Sequence, residues 1–359
     1  MRAAMTRSPA RRDTMTYHLG TLLGDDIGLE VVPSAVEIAR AALAREHVDV
    51  TWHDVPIGRA ALDTHGTTLP DGWVLGPIGH QAYPRVPGAI NPHPILRKHF
   101  DLFANVRPAR SYPGVPCLYD DVDVVIVREN NEGFPPDRNV VAGCGEFRPT
   151  PDTTISVRVI TREGSTKVAR AAFELARSRR QHLTSVHKDT VFKLGCGMFA
   201  DACRALAVEY PDVHYDEVLV DTFAMKLVMR PQDYDVVVTT NLFGDILSDL
   251  AAGLVGGLGL AAGLSAGPRH AMAQATHGSA PDIAGRGIAN PTAMIVSTAM
   301  LLDWLGRRHG DARLERAARR IEDAVDVTLR ASEHRTADLG GSASTRALTA
   351  AVVERVGAA

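Results

Sequence analysis

The chain alternates short β-branched runs with amphipathic helical segments, and this alternation restricts its fold more than any other feature. Three runs end in turn-forming or charged residues, as strands buried on both faces of a sheet do: DVDVVIVREN, HLTSVHKD and YDVVVTTN. Three segments repeat apolar residues with the period of a helix: TKVARAAFELARSRR, GMFADACRALAVEY and RLERAARRIEDAVDVTLR. The pattern predicts an α/β fold.

Length and composition narrow the function classes. A chain of 359 residues exceeds the usual size of one hydrophobic core, so we expect two lobes. A formal net charge of −3 produces no field that favours nucleic acid or a membrane surface, and a small-molecule partner is the default. No apolar run reaches the ~18 residues of a membrane span. The 4 cysteines lack disulfide-framework and zinc-finger spacing, which favours a reducing cytoplasm.

Two segments depart from the alternation. Residues 1–17 are basic and lack the apolar core of a signal peptide, so we predict a disordered leader. Residues 140–163 contain two strand-like pieces, which predict a protruding hairpin. Glycine and proline cluster at residues 76–94 and 253–291, and these are the candidate binding loops.

The stretch TTNLFGDILSDL carries two carboxylates four residues apart. If the chain turns from a strand into a helix at Phe243-Gly244, Asp245 and Asp249 share one face near the helix N-terminus. Two hard oxygen ligands one turn apart suit Mg²⁺ or Mn²⁺. The same spacing also fits ordinary acidic residues in the first turn of an exposed helix.

Basic residues complement this acidic pair. Arg97, Arg107 and Arg128 would hold a di- or tricarboxylate if they converge, because guanidinium groups bind carboxylates through paired hydrogen bonds. Arg128 ends an apolar strand and should project from a sheet end. Lys188 closes another strand and would serve as a general base beside a metal and arginines. Except for Arg128, each is more often a solvated surface residue when taken alone.

Two segments compete as the dinucleotide site. GCGMFA matches a loose phosphate-binding pattern, but residues 191–194 separate it from its strand, so we reject it. The loop HGSAPDIAGRGIANP, from His277 to Pro291, is rich in small residues that permit close backbone approach. Its Asp282 would accept hydrogen bonds from an adenosine ribose and repel a 2′-phosphate, which favours NAD over NADP.

Five segments resemble, in the same order, the isocitrate, isopropylmalate and tartrate dehydrogenases, which are metal-dependent β-decarboxylating dehydrogenases: LGDDIGLEV, FANVRP, VTTNLFGDILSDLAAGLVGGLGL, HGSAPDIAGRGIANPTAMI and TADLGGSAST. The resemblance implies a two-lobed α/β fold that is not a Rossmann fold. Residues 18–102 and 256–359 would form the large NAD-binding lobe. Residues 103–255 would form the small lobe, with the dimer interface, the metal site and a dimer clasp at about 140–163.

The resemblance also implies a role for each matching residue. Asp245 and Asp249 would bind Mg²⁺ or Mn²⁺ together with Asp221 of a partner subunit, and Lys188 of the same partner would act near the substrate hydroxyl. The substrate would contact Arg97, Arg107, Arg128, Asn91, His93 and Thr190. The NAD pocket would be lined by His277, Gly278, Ala280, Asp282, Ile283 and Asn290. Such shared sites imply a homodimer.

Two positions depart from the family, and one of them is Thr190, where the family has an asparagine two residues after the lysine. The tyrosine associated with protonating the enolate is Pro135 in RENNEGFPPDRN, and proline has no ionisable group. Solvent or another group, such as His187 or Asp137, would replace it. Alternatively the enzyme oxidises its substrate with little decarboxylation, or the chain is a regulatory paralogue that only binds ligand. Because the carboxylates, the arginines and Lys188 are all present, the last hypothesis is disfavoured.

Substrate choice in the family depends on residues just before Arg97. In AINPHPILR, Asn91 and His93 stand where isocitrate enzymes have a polar pair and isopropylmalate enzymes have leucines. An isopropyl group against such a pair would leave polar groups unsatisfied. We therefore expect a polar or anionic 3-substituent, as in isocitrate, homoisocitrate or phosphonomethylmalate. Isopropylmalate is disfavoured, tartrate or D-malate stays open, and the alternative is that Asn91 and His93 only cap a loop.

Overall fold

The structure is a computed structural model that describes residues 16–82, 87, 89–134 and 145–358. Its strands are, in chain order, β1 (Tyr17–Thr21), β2 (Val50–Asp54), β3 (Ala104–Arg110), β4 (Asp123–Glu129), β5 (Glu146–Thr150), β6 (Thr153–Ser156), β7 (His182–His187), β8 (His214–Leu219), β9 (Val236–Thr239), β10 (Leu264–Ala266) and β11 (Ala271–Ala273). Its α-helices are α1 (Gly28–Arg45), α2 (Arg59–His65), α3 (Pro92–His99), α4 (Arg162–Arg177), α5 (Gly195–Ala207), α6 (Val220–Met229), α7 (Asn241–Leu254), α8 (Thr292–His309), α9 (Ala312–Arg330) and α10 (Thr345–Ala358). Strands and helices alternate as predicted.

A seven-stranded mixed sheet runs through the described chain in the order β11-β10-β3-β4-β9-β7-β8. The strands β4, β9, β7 and β8 are parallel to one another, and β3 runs antiparallel to β4. Val124–Val127 and Val236–Val238 are buried because helices cover both faces of this part of the sheet. The carboxyl ends of β4 and β9 therefore lie side by side, directly before α7.

The strands β1 and β2 form a separate parallel pair. Isolated bridges from Leu22 to Ile78 and from Pro77 to Ala273 connect β1 with the edge of the main sheet. The largest hydrophobic cluster combines α1 with α8, α9 and α10, so residues from both ends of the chain share one core. The strand β10, from the predicted large lobe, pairs with β3 of the predicted small lobe. One sheet thus crosses the predicted boundary, and the limits near 103 and 256 stay predictions.

Two local predictions were wrong. The leader was expected to reach residue 17, but Tyr17 is the first residue of β1 and is buried, with its hydroxyl donating to Asp311 at 3.1 Å. The turn into the metal-site helix was expected at Phe243-Gly244, but α7 begins at Asn241, after an extended Thr240. Both errors arise because long-range packing, rather than local residue type, determines where these elements begin.

The predicted hairpin is present. The strands β5 and β6 pair antiparallel, and every residue of both strands is exposed. Its predicted role as a dimer clasp stays a prediction, and residues 140–144 of the proposed clasp lie outside the described residues. Among the described residues, Cys117, Cys196 and Cys203 form no disulfide. No helix in the described ranges is both long and apolar enough to cross a membrane.

Candidate active site

The three predicted arginines line one cavity of about 710 Å³ at the carboxyl ends of β4 and β9. Arg128 comes from β4, Arg107 from β3 and Arg97 from α3, so three separate elements bring them together. Asp245 of α7 lines the same cavity. Further polar side chains in the lining are His80, Asn91, His93, Lys98, Asn105, Asn130, Asn131, Glu132, Asn241, Gln274 and Thr276.

Asp245 accepts hydrogen bonds from two buried arginines. Arg128 Nη1 donates to Asp245 Oδ1, and Arg107 Nη1 lies 3.4 Å from the same oxygen. Arg107 also donates to Ser248 Oγ at 2.7 Å and to Asn105 Oδ1. Burial lowers the pKa of Arg128 to about 9, and repulsion from Arg107 adds to this effect. The cavity therefore concentrates positive charge, of which Asp245 compensates only a part.

Asp249 lies one helical turn beyond Asp245, as the spacing predicted. Its Oδ1 is 3.8 Å from Arg107 Nη1. Burial raises the pKa of the Asp249 carboxyl, and the negative charge of Asp245 raises it further. A bound cation would relieve the repulsion between these two carboxylates. The pair therefore places two oxygen ligands one helical turn apart beside the arginines.

Asn241 was not predicted, although it precedes Asp245 by four residues and so shares its helix face. Its Oδ1 accepts hydrogen bonds from Arg128 Nε at 2.9 Å and Nη2 at 2.6 Å. Its Nδ2 lies 3.4 Å from an oxygen of Glu129, whose pKa burial raises to about 8. Asn241 thus fixes the guanidinium of Arg128 against the start of α7.

Gly244 explains how β4 and α7 approach so closely. A Cβ atom at this position would lie 2.6 Å from Cγ and 2.7 Å from Cβ of Arg128. Ordinary contacts between carbon atoms are about 3.5–4.0 Å. Glycine is therefore required by packing inside α7, which is the physical reason for the Phe-Gly pair that was predicted to form a turn.

Two histidines, His80 and His93, line the cavity, and a third, His277, lies beside His80 outside the described lining. The ring centroids of His80 and His93 are 4.7 Å apart, and those of His80 and His277 are 6.3 Å apart. Burial lowers the pKa of His80 to about 3 and lowers the pKa values of His93 and His277 as well. All three imidazoles are therefore neutral near pH 7. His80 was missed from the sequence, although it lies in the predicted binding segment 76–94.

Neither ring nitrogen of His93 has a hydrogen-bond partner among the described residues, although the side chain is buried. His80 instead is bonded to the carbonyl of Ala275 and to Gln274, both at 3.1 Å. Gln274 in turn accepts from Arg97 Nη2 at 3.0 Å. Asn91 is the N-cap of α3 and accepts from the backbone N–H of His93 at 3.2 Å. Helix capping therefore explains why a polar residue stands at Asn91, but it does not explain the buried imidazole ring of His93.

Lys188 and Asp221 pair with each other outside this cavity. Lys188 Nζ lies 2.5 Å from Asp221 Oδ1, and this hydrogen bond lowers the pKa of Asp221. Neither residue is among the described residues that line the cavity, and the nearby Thr190 is exposed in the turn after β7. Within one chain the structure thus separates this pair from Asp245.

The hypothesis that His187 replaces the missing tyrosine is not supported. His187 is buried, and its Nε2 lies 3.1 Å from Glu217 while its Nδ1 accepts from the backbone N–H of Asp189 at 3.4 Å. Both ring nitrogens are therefore engaged within the chain. Pro135 and Asp137 lie outside the described residues.

The loop from His277 to Pro291 begins directly after Thr276, which lines the cavity. Glu30 of α1 holds this loop by accepting from the backbone N–H of Gly285 at 2.8 Å. Asp282 is exposed at the surface, and Ala280 adopts a positive φ of 44°. Of the other predicted pocket residues, Gly278 is exposed, Ile283 is half-buried and Asn290 is buried.

Two of these residues have polar atoms that bear on ligand binding. Nε2 of His277 is buried without a partner among the described residues. Asn290 instead is engaged, because its Nδ2 donates to Asp338 at 3.0 Å and its Oδ1 accepts from the backbone N–H of Thr292 at 3.0 Å. His277 is therefore available to a ligand in a way that Asn290 is not.

Comparisons with known proteins identify the family to which the chain belongs. The model of the isocitrate/isopropylmalate dehydrogenase family matches residues 18–356. The isocitrate/homoisocitrate dehydrogenase of Thermus thermophilus is 43% identical over 350 residues, which cover 95% of this chain and 98% of that protein. The 3-isopropylmalate dehydrogenase of Archaeoglobus fulgidus is 41% identical over 337 residues, which cover 90% and 94% of the two chains.

A solved structure extends the likeness to the fold. The crystal structure of isocitrate dehydrogenase from Methylococcus capsulatus matches with a TM-score of 0.85 and 40% identity, covering 95% of this chain and 99% of that one. The predicted family and fold class are thereby confirmed. This protein belongs to the isocitrate/isopropylmalate dehydrogenase family of oxidoreductases.

Proposed function

We propose that this protein catalyses the NAD-dependent, Mg²⁺- or Mn²⁺-assisted oxidative decarboxylation of a malate with a polar or anionic 3-substituent. The candidate substrates are isocitrate, homoisocitrate and phosphonomethylmalate. The observation that carries the proposal is one cavity that combines the three arginines with the buried imidazole of His93, which has no hydrogen-bond partner in the part of the chain that the structure describes.

The charge of the cavity supports a di- or tricarboxylate. Arg107 and Arg128 are buried, and their guanidinium groups bind carboxylates more strongly at a desolvated site than in water. Arg97 of α3 adds a third guanidinium group that can bind a carboxylate. A substrate carboxylate would compete with Asp245 for these groups, and Asp245 would then be released toward a cation.

The neutral imidazole of His93 supports a polar 3-substituent. Burial keeps the ring uncharged, so it offers one donor and one acceptor. An isopropyl group would leave both nitrogens without partners, and each unsatisfied buried group costs roughly 1–3 kcal/mol. The name of the Thermus thermophilus relative, isocitrate/homoisocitrate dehydrogenase, supports the same choice.

The donor sets fit both expected cofactors. Asp245 and Asp249 provide hard oxygen ligands for Mg²⁺ or Mn²⁺, which keep water and substrate at their remaining positions. The buried Nε2 of His277 and the exposed carboxylate of Asp282 provide groups for an adenosine ribose. When bound, the cation polarises the oxygens of the substrate and NAD accepts the hydride.

The chain's own residues position the substrate and move its protons. The arginines hold the carboxylates, which restricts the substrate to one orientation. Lys188 takes the proton of the substrate hydroxyl at Nζ. Because His187 is engaged elsewhere, we assign protonation of the product enolate to solvent or to Asp137.

We propose a homodimer in which the partner subunit supplies Lys188 and Asp221 to the cavity. In one chain this pair does not line the cavity in its described part. The surface nearby is apolar: Met225 and Met229 of α6 are 54% and 62% exposed, and Ile246 of α7 is 59% exposed. Exposed apolar side chains on neighbouring elements indicate a protein interface. The hairpin β5–β6 would contribute to it as a clasp.

Subunit complementation tests this sharing of sites. Lys188→Ala and Arg128→Ala would each inactivate a homodimer. A mixed dimer would contain one site with both defects and one intact site. Random mixing of equal amounts makes about half of the dimers mixed, so it would restore roughly one quarter of wild-type activity. If both residues act within one chain, mixing restores nothing, and the shared site is refuted.

A substrate panel tests the reaction itself. The purified protein is assayed with NAD and Mn²⁺ on isocitrate, homoisocitrate, phosphonomethylmalate, isopropylmalate, tartrate and D-malate, and NADH and CO₂ are followed together. We expect equal yields of both products on one polar substrate. NADH without CO₂ would mean oxidation uncoupled from decarboxylation. If no substrate yields NADH, the proposed enzymatic activity is refuted and a regulatory paralogue is favoured.

The role of His93 has a matched control. His93→Leu should raise KM for the polar substrate at least tenfold and improve relative turnover of isopropylmalate. His99 lies on the same helix, is exposed and is not part of the described cavity lining, so His99→Leu should change neither value. Equal behaviour of the two variants would contradict a specificity role for His93.

A further inference from the structure

Three potential metal ligands lie together at the amino-terminal ends of two neighbouring parallel strands. His182 is the first residue of β7 and His214 is the first residue of β8, and the two are paired in register. Asp216 is two residues further along β8, on the same face as His214. One ligand atom from each side chain lies within 4.8 Å of the others, and no other such group of three occurs in the described ranges.

The spacing within this cluster resembles that around a single ion. His182 Nε2 and Asp216 Oδ2 are 3.3 Å apart. Zn²⁺ holds nitrogen and oxygen ligands at about 2.0–2.2 Å, so two ligands of a tetrahedral site are roughly 3.3–3.5 Å apart. The ring centroids of His182 and His214 are 4.9 Å apart. A small side-chain rotation therefore suffices to complete the set.

A second observation concerns the carboxylate of Asp216, whose side chain as a whole is 40% exposed. Oδ1 of Asp216 is buried and accepts no hydrogen bond from the described residues. A buried carboxylate oxygen without a partner is unfavourable, and a neighbouring cation offsets that cost. A simple hydrogen bond between His182 and Asp216 would use only Oδ2 and would not involve His214.

We propose that His182, His214 and Asp216 bind a transition metal ion of the Zn²⁺ class. Two imidazoles and one carboxylate suit Zn²⁺, Co²⁺ or Ni²⁺, whereas Mg²⁺ prefers oxygen ligands alone. His214 is exposed, so water has access to the fourth position. The ion would join the edge strand β8 to β7 and oppose their separation.

This site is separate from the proposed catalytic centre. Lys188 follows the opposite end of β7, and six residues of strand span about 20 Å. The ion therefore stabilises the sheet without taking part in turnover. Loss of its ligands should leave the Mn²⁺-supported activity unchanged.

Metal titration of the full chain, purified without a histidine tag, tests the proposal. The protein is stripped with chelator and then titrated with Co²⁺ in saturating Mg²⁺, which occupies the oxygen site. We expect one Co²⁺ per chain, with a visible absorption band that Zn²⁺ abolishes. His182→Ala and His214→Ala should each weaken Zn²⁺ binding at least tenfold and remove the Zn²⁺-dependent rise in melting temperature.

The control is a second histidine pair in the same chain. His18 Nδ1 and His53 Nε2 are 2.9 Å apart on β1 and β2, with no carboxylate completing a group of three among the described residues. His53→Ala should retain the Zn²⁺ affinity of the wild type. The proposal is overturned if the wild type binds no Co²⁺ in Mg²⁺, or if His214→Ala, at an exposed position, retains the full affinity. Circular dichroism establishes that each variant is folded.

Discussion

Replacing Gly244 with alanine should weaken both the fold and the arginine site. The added Cβ would lie 2.6 Å from Cγ, 2.7 Å from Cβ and 3.2 Å from Cα of Arg128. Two of these atoms, Cα and Cβ, are fixed by strand β4, so no rotation of the Arg128 side chain can restore contacts of about 3.5 Å. The helix α7 must therefore move away from β4 by roughly 1 Å.

The expected magnitude combines two opposing terms. Overpacking a close contact costs roughly 1–3 kcal/mol, whereas alanine in place of glycine in a helix gains up to about 1 kcal/mol. We expect a net loss of about 1 kcal/mol and a lower melting temperature. The displacement also moves Asn241 and Asp245 relative to Arg128, and a misplacement of about 1 Å can reduce turnover by up to about 100-fold. We expect kcat/KM to fall at least tenfold.

Gly253 provides the matched control because it lies in the same helix. A Cβ built there meets no atom within 4 Å, so Gly253→Ala retains only the favourable helix term. Its melting temperature should be unchanged or raised, and its kinetics should match the wild type. Thermal unfolding and steady-state kinetics of the two variants decide the question. If Gly244→Ala is as stable and as active as Gly253→Ala, the close packing of β4 against α7 is not the reason for glycine.

Further predictions concern stability and cofactor choice. Asp311→Ala removes the N-cap of α9, because the Asp311 carboxylate accepts from the backbone N–H of Arg313, and should cost about 1 kcal/mol by thermal unfolding. The hydrogen bond from the Arg313 side chain lowers the pKa of Asp311 to about 2 in the folded state. The contribution of the Asp311 carboxylate to stability is therefore complete above about pH 4 and is lost as the pH falls through about 2. Acid titration of the variant should not show this loss. Asp235→Ala should cost roughly 1–3 kcal/mol, because the nearly fully buried carboxylate of Asp235 accepts hydrogen bonds from Arg179 and from the backbone N–H of Arg180, and a denaturation midpoint equal to that of the wild type would contradict this. Asp282→Lys should lower KM for NADP and raise KM for NAD, and unchanged values for both would refute the ribose contact.

Much of the site could be predicted because its signals are local. Four-residue spacing places Asp245 and Asp249 on one face of any helix, and the family segments indicate the residues around them. Asn241 was missed, although the same spacing relates it to Asp245. Its role depends on Arg128, which is 113 residues away in the chain. Local periodicity contains no information about such a partner.

The same distinction applies to the protein as a whole. The sequence by itself determined the α/β alternation, the family and the residue types of the site, because these depend on side-chain chemistry and short-range spacing. Only the tertiary structure decided that α7 begins at Asn241, that His93 is buried without hydrogen-bond partners among the described residues, and that Lys188 lies apart from Arg128 in one chain. These features depend on how β4, α3 and α7 pack together. Packing is decided by contacts between residues far apart in sequence. These contacts determine how closely the helices and strands approach each other, and therefore which polar groups are buried and remain available to a ligand.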